Sequence, residues 1–180
     1  CQYLEDIIRS YVDLSKMELD NLESFEKNIE FIEDVLKPVI TIPEYLNNAK
    51  NMLLVTDYRA GGEIQGDENL LRIVVTNLVN NAIKYGRENT EIKINISDEK
   101  GKLVFSVYNE GVGISADDIK NKLFSKFGRL KQKGTEGVKG SGLGLYICKK
   151  IIEKHNGTID VESEVGSFVE FIVKIPRKRV

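Results

Sequence analysis

The sequence is poor in the residues that build disulfide frameworks and metal clusters. It has two cysteines and one histidine among 180 residues. Cys1 and Cys148 lie far apart, and neither belongs to a CxxC pair or a Cys/His cluster. We therefore expect two free thiols in a reducing compartment, as in a cytoplasmic protein.

Long apolar runs and a strong net charge are also missing. No stretch approaches the roughly 20 apolar residues that a membrane-spanning helix needs, and the start of the sequence has no signal-peptide pattern. The net charge is −2, which predicts no bulk attraction to nucleic acid or to an anionic membrane. The composition, 41% hydrophobic and 30% charged, is that of an ordinary globular chain with one domain, or one domain and an appendage.

The first 20 residues carry a wide apolar stripe between charged residues, and this pattern predicts an amphipathic helix. Such a stripe must pack on another helix, either of this chain or of a second one. Because the pattern is already present at Leu4 and the sequence begins at Cys1, we expect a fragment of a longer protein. The stripe consists of Leu4, Ile7, Ile8, Tyr11, Val12, Leu14 and Leu19.

Two short helical pieces and a strand are predicted next. Asn28 is a plausible N-cap for a helix over residues 29–37, which Pro38 disturbs. Residues 41–50, TIPEYLNNAK, resemble a second helical piece, and NMLLVTDYR has strand character. AGGEIQGDE then turns the chain into the next helix.

The second half of the sequence predicts a sheet. TEIKINIS and LVFSVYN alternate apolar and polar residues around a turn, as an antiparallel hairpin does. A helix over residues 143–155 follows, with Gly157 as its left-handed C-cap. TIDVES and SFVEFIVKIP complete the sheet, joined by a turn at residues 164–166. Because the βαβ rhythm of a parallel sheet is missing, we expect an α+β two-layer sandwich.

The segment NLVNNAIKY, residues 77–85, places several polar side chains on a strongly apolar helix. Asparagine is a poor helix former, because its amide competes for backbone hydrogen bonds. Asn77 and Asn81 are four residues apart and therefore share a face, with Lys84 one turn further along. A satisfied polar stripe at a helix edge would have the same pattern, so both interpretations stay open for this segment alone.

The segment NEGVGI, residues 109–114, directly follows a strand. Gly111 and Gly113 would let the backbone approach a flat ligand, and Asn109 could offer its amide to a purine edge. A turn that closes a strand would look the same.

Residues 123–139, LFSKFGRLKQKGTEGVK, are too rich in glycine and lysine for a packed element. Loops of this length are often functional lids, although a solvated charged loop is the commoner case. Phe124 and Phe127 are expected to anchor its start in the core. Glu136 is the single acid among five cations, which are Lys126, Arg129, Lys131, Lys133 and Lys139.

The segment GSGLGL, residues 140–145, runs directly into a helix. Glycines before a helix present backbone N–H groups at an end that favours negative charge, which predicts a phosphate site. The segment matches neither the GxxxxGK[ST] loop nor a dinucleotide fingerprint.

Taken together and in this order, NLVNNAIKY, NEGVGI, LFSKF and GSGLGL resemble the N box, first glycine box, F box and second glycine box of sensor histidine kinases. The resemblance includes HNGTIDVESEVGSFVEFIVKIP and covers nearly all of residues 23–180. It implies a Bergerat-type ATP-binding fold, with a mixed, mostly antiparallel sheet and helices on one face. Residues 1–22 would belong to the second helix of the dimerisation and phosphoacceptor hairpin, and residues 23–180 would form the catalytic domain.

The resemblance assigns roles around ATP and Mg²⁺. Asn81 would ligate the metal, and Asn77 would hold it through water or bind the phosphates directly. Lys84 would neutralise phosphate charge. Arg129, supported by Lys126, would reach the terminal phosphate, so that the catalytic side chains would be Asn77, Lys84, Lys126 and Arg129.

The resemblance also implies a base pocket. Tyr85 would pack on the adenine and Asn109 would bind its amino group, in a pocket shaped by Gly111, Gly113 and Ile114. The second glycine box would line the phosphates with backbone donors. The other nucleotide ligands would be Phe127, Gly140, Ser141, Gly142, Leu143 and Gly144.

Two departures from the family pattern matter. The family usually has Asp where this chain has Asn109, and asparagine keeps an acceptor but loses the charge, which would alter adenine affinity or selectivity. The phosphoacceptor segment is also missing. The single histidine, His155, lies at a helix terminus, where we expect a surface or C-cap residue. The acceptor would then lie upstream of Cys1.

The resemblance therefore implies a protein histidine kinase that transfers the γ-phosphoryl group of Mg-ATP to a histidine outside this chain. The phosphate would pass to the receiver domain of a response regulator, and the full-length protein would dimerise through its helical hairpin, with any membrane anchor upstream. Related ATPases carry Glu at the position of Asn77, which disfavours efficient hydrolysis here. A protein serine kinase of the same fold (GHKL type) and a nucleotide-gated interaction module without transfer activity remain as alternatives.

Overall fold

A five-stranded sheet is the frame of the fold. The computed structural model describes Val12, Ser15 and residues 27–42, 50–128 and 141–177. Most of the predicted N-terminal helix, the boundary at residue 22, most of the helical piece over residues 41–50 and most of the lid lie outside these residues. The strands are β1 (Asn28–Glu30), β2 (Leu53–Tyr58), β3 (Glu63–Gln65), β4 (Glu91–Glu99), β5 (Lys102–Glu110), β6 (Thr158–Glu164) and β7 (Phe168–Pro176).

The strand order confirms the predicted mixed, mostly antiparallel sheet. The order is β2-β4-β5-β7-β6, in which β2 and β4 run parallel and every other neighbouring pair runs antiparallel. The β4–β5 and β6–β7 pairs are the two predicted hairpins. Strands β1 and β3 form a separate antiparallel pair. The sequence did not predict β3, which lies inside the stretch expected to be only a turn.

The helices form the second layer of the sandwich. Helix α2 (Glu68–Tyr85) packs on α4 (Gly144–Lys154) and on β5, and α4 packs on β6. The buried apolar side chains of strands and helices join in one core, so the two-layer α+β prediction is confirmed. None of the described helices has the length and apolar composition that crossing a membrane requires. The helices are α1 (Lys37–Ile40), α2 (Glu68–Tyr85), α3 (Ala116–Asn121) and α4 (Gly144–Lys154).

The prediction that Asn28 caps a helix is wrong, because Asn28 begins β1. The helix starts later as a π-helical segment, Phe31–Leu36, which leads into α1. Pro38 has no N–H to donate to the carbonyl of Asp34, and Arg72 Nε of α2 donates to this oxygen instead, at 2.8 Å. A side chain from another element thus compensates for the proline.

The end of α4 also differs from the prediction in one residue. Asn156, with φ of +55°, takes the left-handed position that was expected for Gly157. Its N–H donates to Glu153 O at 3.0 Å, and the N–H of Gly157 donates to Ile152 O at 2.9 Å, which is the Schellman pattern. Gly157 is needed for a different reason, since a Cβ there would lie 2.5 Å from the carbonyl oxygen of Lys174.

Candidate functional site

Helix α2 carries the asparagines of the N box on the edge of a buried apolar face. The Asp67 carboxylate caps its start by accepting from the N–H groups of Asn69 and Leu70, at 2.8 and 3.0 Å. Asn77 and Asn81 are half-buried, whereas Asn80 is exposed. This arrangement follows the helical spacing, which assigned no role to Asn80. The buried face consists of Leu70, Leu71, Val74, Val75, Leu78, Val79 and Ala82.

The N box and the second glycine box meet at one contact. Asn77 Nδ2 donates to the carbonyl of Ile73 at 2.9 Å, so its other amide atom, Oδ1, is directed away from that bond. Oδ1 faces Gly144, and a Cβ on Gly144 would come within 2.5 Å of it. Glycine at this position therefore keeps space open beside an amide oxygen.

The second glycine box leads into α4 without a side-chain cap. Gly142 has φ of +73°, and the Ser141 hydroxyl accepts from Leu143 N–H at 3.3 Å. Within the described residues, the N-cap residue Leu143 makes no capping hydrogen bond, and the first turn of α4 carries no acid. The first-turn N–H groups of α4 thus form an electropositive end suited to an anion. Gly140 lies outside the described residues.

Asn109 lies at the carboxyl end of β5 and is only 3% exposed. Its Nδ2 donates to the carbonyl of Glu110 at 3.1 Å, a bond that uses the donor side of the amide and not the acceptor Oδ1. Gly111 packs closely against both the side chain of Asn109 and the carbonyl of Tyr85, since a Cβ on Gly111 would lie 3.2 Å from Asn109 Nδ2 and would overlap the Tyr85 oxygen. The structure therefore groups three of the residues predicted to contact the base.

The glycines of the first glycine box serve the protein's own packing. A Cβ on Gly111 would overlap the carbonyl oxygen of Tyr85, and one on Gly113 would overlap that of Glu164. Gly113 also has φ of +67°, which side-chain-bearing residues rarely adopt. The sequence argument gave a ligand as the reason for these glycines, whereas the structure shows neighbouring backbone in that space.

Ser163 of β6 is a residue that the motifs did not identify. Its hydroxyl accepts from the N–H of Ile114 at 2.8 Å and donates to the carbonyl of Phe168 at 2.6 Å. Ile159, Val161 and Ser163 alternate with exposed residues along β6. A polar residue at a core-facing position was the available signal in the sequence.

Lys84 and Tyr85 end α2 beside each other. Lys84 Nζ lies 5.7 Å from the centroid of the Tyr85 ring. Lys50, which sequence reasoning missed, donates its Nζ to the carbonyls of Lys84 and Gly86, at 2.8 Å each. A cation at the carboxyl end of a helix stabilises its unpaired carbonyls.

The F box only partly follows its prediction. Phe124 is half-buried and packs against the core, and Lys149 Nζ lies 5.8 Å from its ring centroid. Phe127 is 65% exposed, so the prediction that it anchors the loop in the core is wrong. Lys126 Nζ lies 5.9 Å from the Phe127 ring. Arg129 lies outside the described residues.

His155 is the C-cap residue of α4, as predicted, but it is buried rather than on the surface, with 6% exposure. Its Nε2 accepts from the N–H of Asp67 at 3.0 Å, and its Nδ1 lies 2.8 Å from the carbonyl of Ile151. This pair of contacts requires the neutral ring with its proton on Nδ1. Burial lowers the pKa of His155 below 6.5, against smaller opposing effects of Ile151 and Asp67.

Comparison with known proteins identifies the family. A model described as histidine kinase-, DNA gyrase B- and HSP90-like ATPase matches residues 66–179. Sensor protein SrrB of Staphylococcus aureus (strain NCTC 8325 / PS 47) is 38% identical over 104 residues, 58% of this chain. That match spans 18% of the SrrB sequence, so the chain corresponds to a minor part of its curated relatives.

Two solved structures share the fold. The catalytic domain of histidine kinase ThkA, in a nucleotide-free form, is 31% identical with a TM-score of 0.70, covering 84% of this chain and 95% of that one. ShkA, full-length and in complex with AMPPNP, is 22% identical with a TM-score of 0.78, covering 98% of this chain and 36% of that one; at this identity the likeness shows the fold alone. The chain therefore belongs to the histidine kinase-, DNA gyrase B- and HSP90-like ATPase family, in which it forms the ATP-binding catalytic portion of a sensor histidine kinase.

Proposed function

We propose that this chain binds Mg-ATP and transfers the γ-phosphoryl group to a histidine outside residues 1–180. The phosphate then passes to an aspartate in the receiver domain of a response regulator, and the full-length protein acts as a dimer joined by its helical hairpin. The observation that carries the proposal is the contact of Asn77 with Gly144. This contact supports the proposal, because an amide oxygen is a suitable ligand for a hard cation and the nearby helix end favours phosphate.

The residues of the N box fit a metal that arrives with the nucleotide. The amide oxygens of Asn77 and Asn81 are neutral oxygen ligands of the type that Mg²⁺ accepts. Among the described residues, no group of three His, Cys, Asp or Glu side chains could hold an ion. Phosphates and water would supply the remaining ligands. When bound, the metal would neutralise charge on the phosphates.

The base end of the site fits a purine that offers an amino group. Asn109 Oδ1 is an acceptor directed away from the bond that Nδ2 makes to Glu110. An amide acceptor at the buried end of β5 would accept from the adenine amino group. The ring of Tyr85, held near Gly111 through its own carbonyl, would cover the base.

The phosphoryl acceptor must be a different histidine from His155. Both ring nitrogens of His155 are engaged inside the fold, one with the N–H of Asp67 and one with the carbonyl of Ile151. An accepting imidazole in its neutral form has a free nitrogen and needs no base to remove a proton. This chain's contribution would then be positioning and charge neutralisation by Asn77, Asn81 and Lys84.

The test uses the full-length protein with γ-labelled ATP and Mg²⁺. We expect a phosphoprotein whose label is lost in acid and retained in base, as for phosphohistidine. Asn81→Ala is expected to lower labelling by at least about tenfold, because an inner metal ligand is removed. Asn80→Ala, one residue away on the exposed side of α2, is the matched control and should label normally.

Other outcomes would replace the proposal. Acid-stable label would indicate a protein serine kinase. ATP bound without any label would indicate a nucleotide-gated interaction module. Equal labelling by the Asn80 and Asn81 variants would contradict the metal role assigned to Asn81.

A further inference from the structure

The backbone of the first glycine box is fixed by the β6–β7 hairpin. Gly111 N–H donates to the carbonyl of Ser167 at 3.0 Å, and Gly166 N–H donates to the carbonyl of Val112 at 2.8 Å. The third bond is different, because the N–H of Ile114 donates to a side chain, the hydroxyl of Ser163, at 2.8 Å. The loop thus depends on one side chain for its last attachment.

The Ser163 hydroxyl connects two backbone groups that do not bond each other. It accepts from Ile114 and donates to the carbonyl of Phe168 at 2.6 Å. Both of its directions are used, so its torsion is set by the two partners. The side chain is half-buried on the core-facing side of β6, where replacement by an apolar residue would leave two backbone groups without this partner.

The loop has little freedom to compensate on the side of the hairpin. Gly113 already lies so close to the carbonyl of Glu164 that a Cβ would not fit. Gly113 also has a left-handed φ of +67°, a backbone conformation that a residue with a side chain rarely adopts. Without the hydroxyl, we expect the loop to relax away from the hairpin, which would shift Gly111 relative to Tyr85 and Asn109, its close neighbours.

We propose that Ser163 is a positioning residue for the base pocket of the nucleotide site. It holds the loop from Gly111 to Ile114 at the place where the pocket can close on the base, without itself contacting the ligand. This inference rests on the proposed nucleotide binding. If the hydroxyl is lost, the competent loop position is populated less, and the apparent affinity falls by the same factor. The effect is confined to ligands that have a base.

The experiment measures the affinity of the chain for Mg-ADP and for Mg-tripolyphosphate, which has phosphates and no base. Ser163→Ala is expected to weaken ADP by about tenfold, the factor of roughly one net hydrogen bond, and to leave tripolyphosphate within about twofold. Ser163→Thr keeps the hydroxyl and should restore ADP affinity. Ser163→Cys, close to serine in size but a weak acceptor, replaces the alanine variant if that variant does not fold. It should also weaken ADP binding and leave tripolyphosphate binding within about twofold.

Ser106→Ala is the matched control, because this serine lies in the same sheet and its hydroxyl accepts from Asn95 Nδ2 at 3.2 Å. It should bind both ligands as the unaltered chain does. The proposal is overturned if the folded Ser163→Ala or Ser163→Cys variant binds ADP normally, or loses affinity for ADP and tripolyphosphate equally. If the unaltered chain binds neither ligand, the proposed function fails first, which is a separate result.

Discussion

At the scale of single residues, the amide of Asn77 limits the chemistry that the proposed nucleotide site could perform on water. An amide has no lone pair basic enough to remove a proton from water, whereas a carboxylate at the same place could act as a general base. The side chain is half-buried, and its oxygen faces the open space beside Gly144. If the chain binds ATP as proposed, an amide at this position disfavours hydrolysis of ATP.

We predict that Asn77→Glu raises the slow ATP hydrolysis of this chain, by about tenfold or more if the carboxylate reaches the attacking water. The control is Asn77→Gln, which has the same length and no basic group. Phosphate release is measured for both variants under saturating Mg-ATP. Equal rates in the glutamate and glutamine variants would show that size, and not basicity, limits hydrolysis.

The relative positions of residues could be predicted from the sequence where the residues lie within a few turns of one helix. The grouping of Asn77 with Asn81, and the exclusion of Asn80, follow from helical spacing alone. The roles of Lys50 and Ser163 do not, because their partners lie 34 and 49 positions away in the sequence. The C-cap position of His155 could be predicted locally, but its burial could not, because its partner Asp67 is 88 positions distant.

At the scale of elements, His155 joins the end of α4 to the start of α2. Its Nε2 accepts from the N–H of Asp67, the residue whose carboxylate caps α2. Gly66 leaves room for the ring, since a Cβ there would lie 2.6 Å from it. Protonating Nε2 would replace an acceptor by a donor that faces an N–H group. The charged groups that influence the ring are Asp67, which favours protonation, and Lys154, which opposes it.

We predict that the free energy of unfolding decreases as the pH falls below about 6.5, the ordinary histidine value. The folded state holds the pKa of His155 below that value, mainly through burial, so the unfolded chain takes up the proton first. The loss is at most about 1.4 kcal/mol per pH unit for one proton, and it ends once the pH has fallen below the folded pKa.

His155→Gln is the matched variant, because glutamine keeps one donor and one acceptor and does not titrate. Urea unfolding of both proteins between pH 7.5 and 5, about one unit either side of the unperturbed pKa, should give a smaller slope for the variant. Identical slopes would mean that carboxylates, and not His155, determine the acid sensitivity in this range.

Regular elements were predicted where a periodic pattern decides the structure. The apolar face of α2 and the alternation in β4, β5 and β7 each required only local periodicity. The pair β1 and β3 was missed, because two three-residue strands carry too few alternations to stand out. The π-helical segment was missed as well, since its geometry depends on packing, with Phe31 and Phe105 ring centroids 5.3 Å apart, and on a contact from Arg72 to Asp34.

At the scale of the whole molecule, four motifs that are weak individually became specific through their order. The fold then explains why they are far apart in sequence. The N box lies on α2, the first glycine box follows β5, and the second glycine box begins α4. Their convergence depends on the packing of α2 against α4 and β5.

Metal and nucleotide should stabilise the whole domain together. Because the described residues contain no carboxylate cluster for an ion, Mg²⁺ alone should leave the melting temperature unchanged. Mg-ADP at about 100 times its Kd should add about 2.7 kcal/mol of stability. For a chain of this size, that corresponds to a rise in melting temperature of about 5–10 °C.

The same melting experiment separates the metal from the base. ADP with a chelator should raise the melting temperature less than Mg-ADP, because the phosphates then lack their bridge to the amide oxygens. Asn81→Ala should abolish this difference and retain the chelator-independent part, which comes from the base pocket. A rise in melting temperature produced by Mg²⁺ alone would contradict this prediction, since it would require a preformed, charged ion site in the protein. If ADP raises the melting temperature of the unaltered chain equally with and without Mg²⁺, Asn81 does not bind the metal. Binding would then depend on Asn109 and its neighbours.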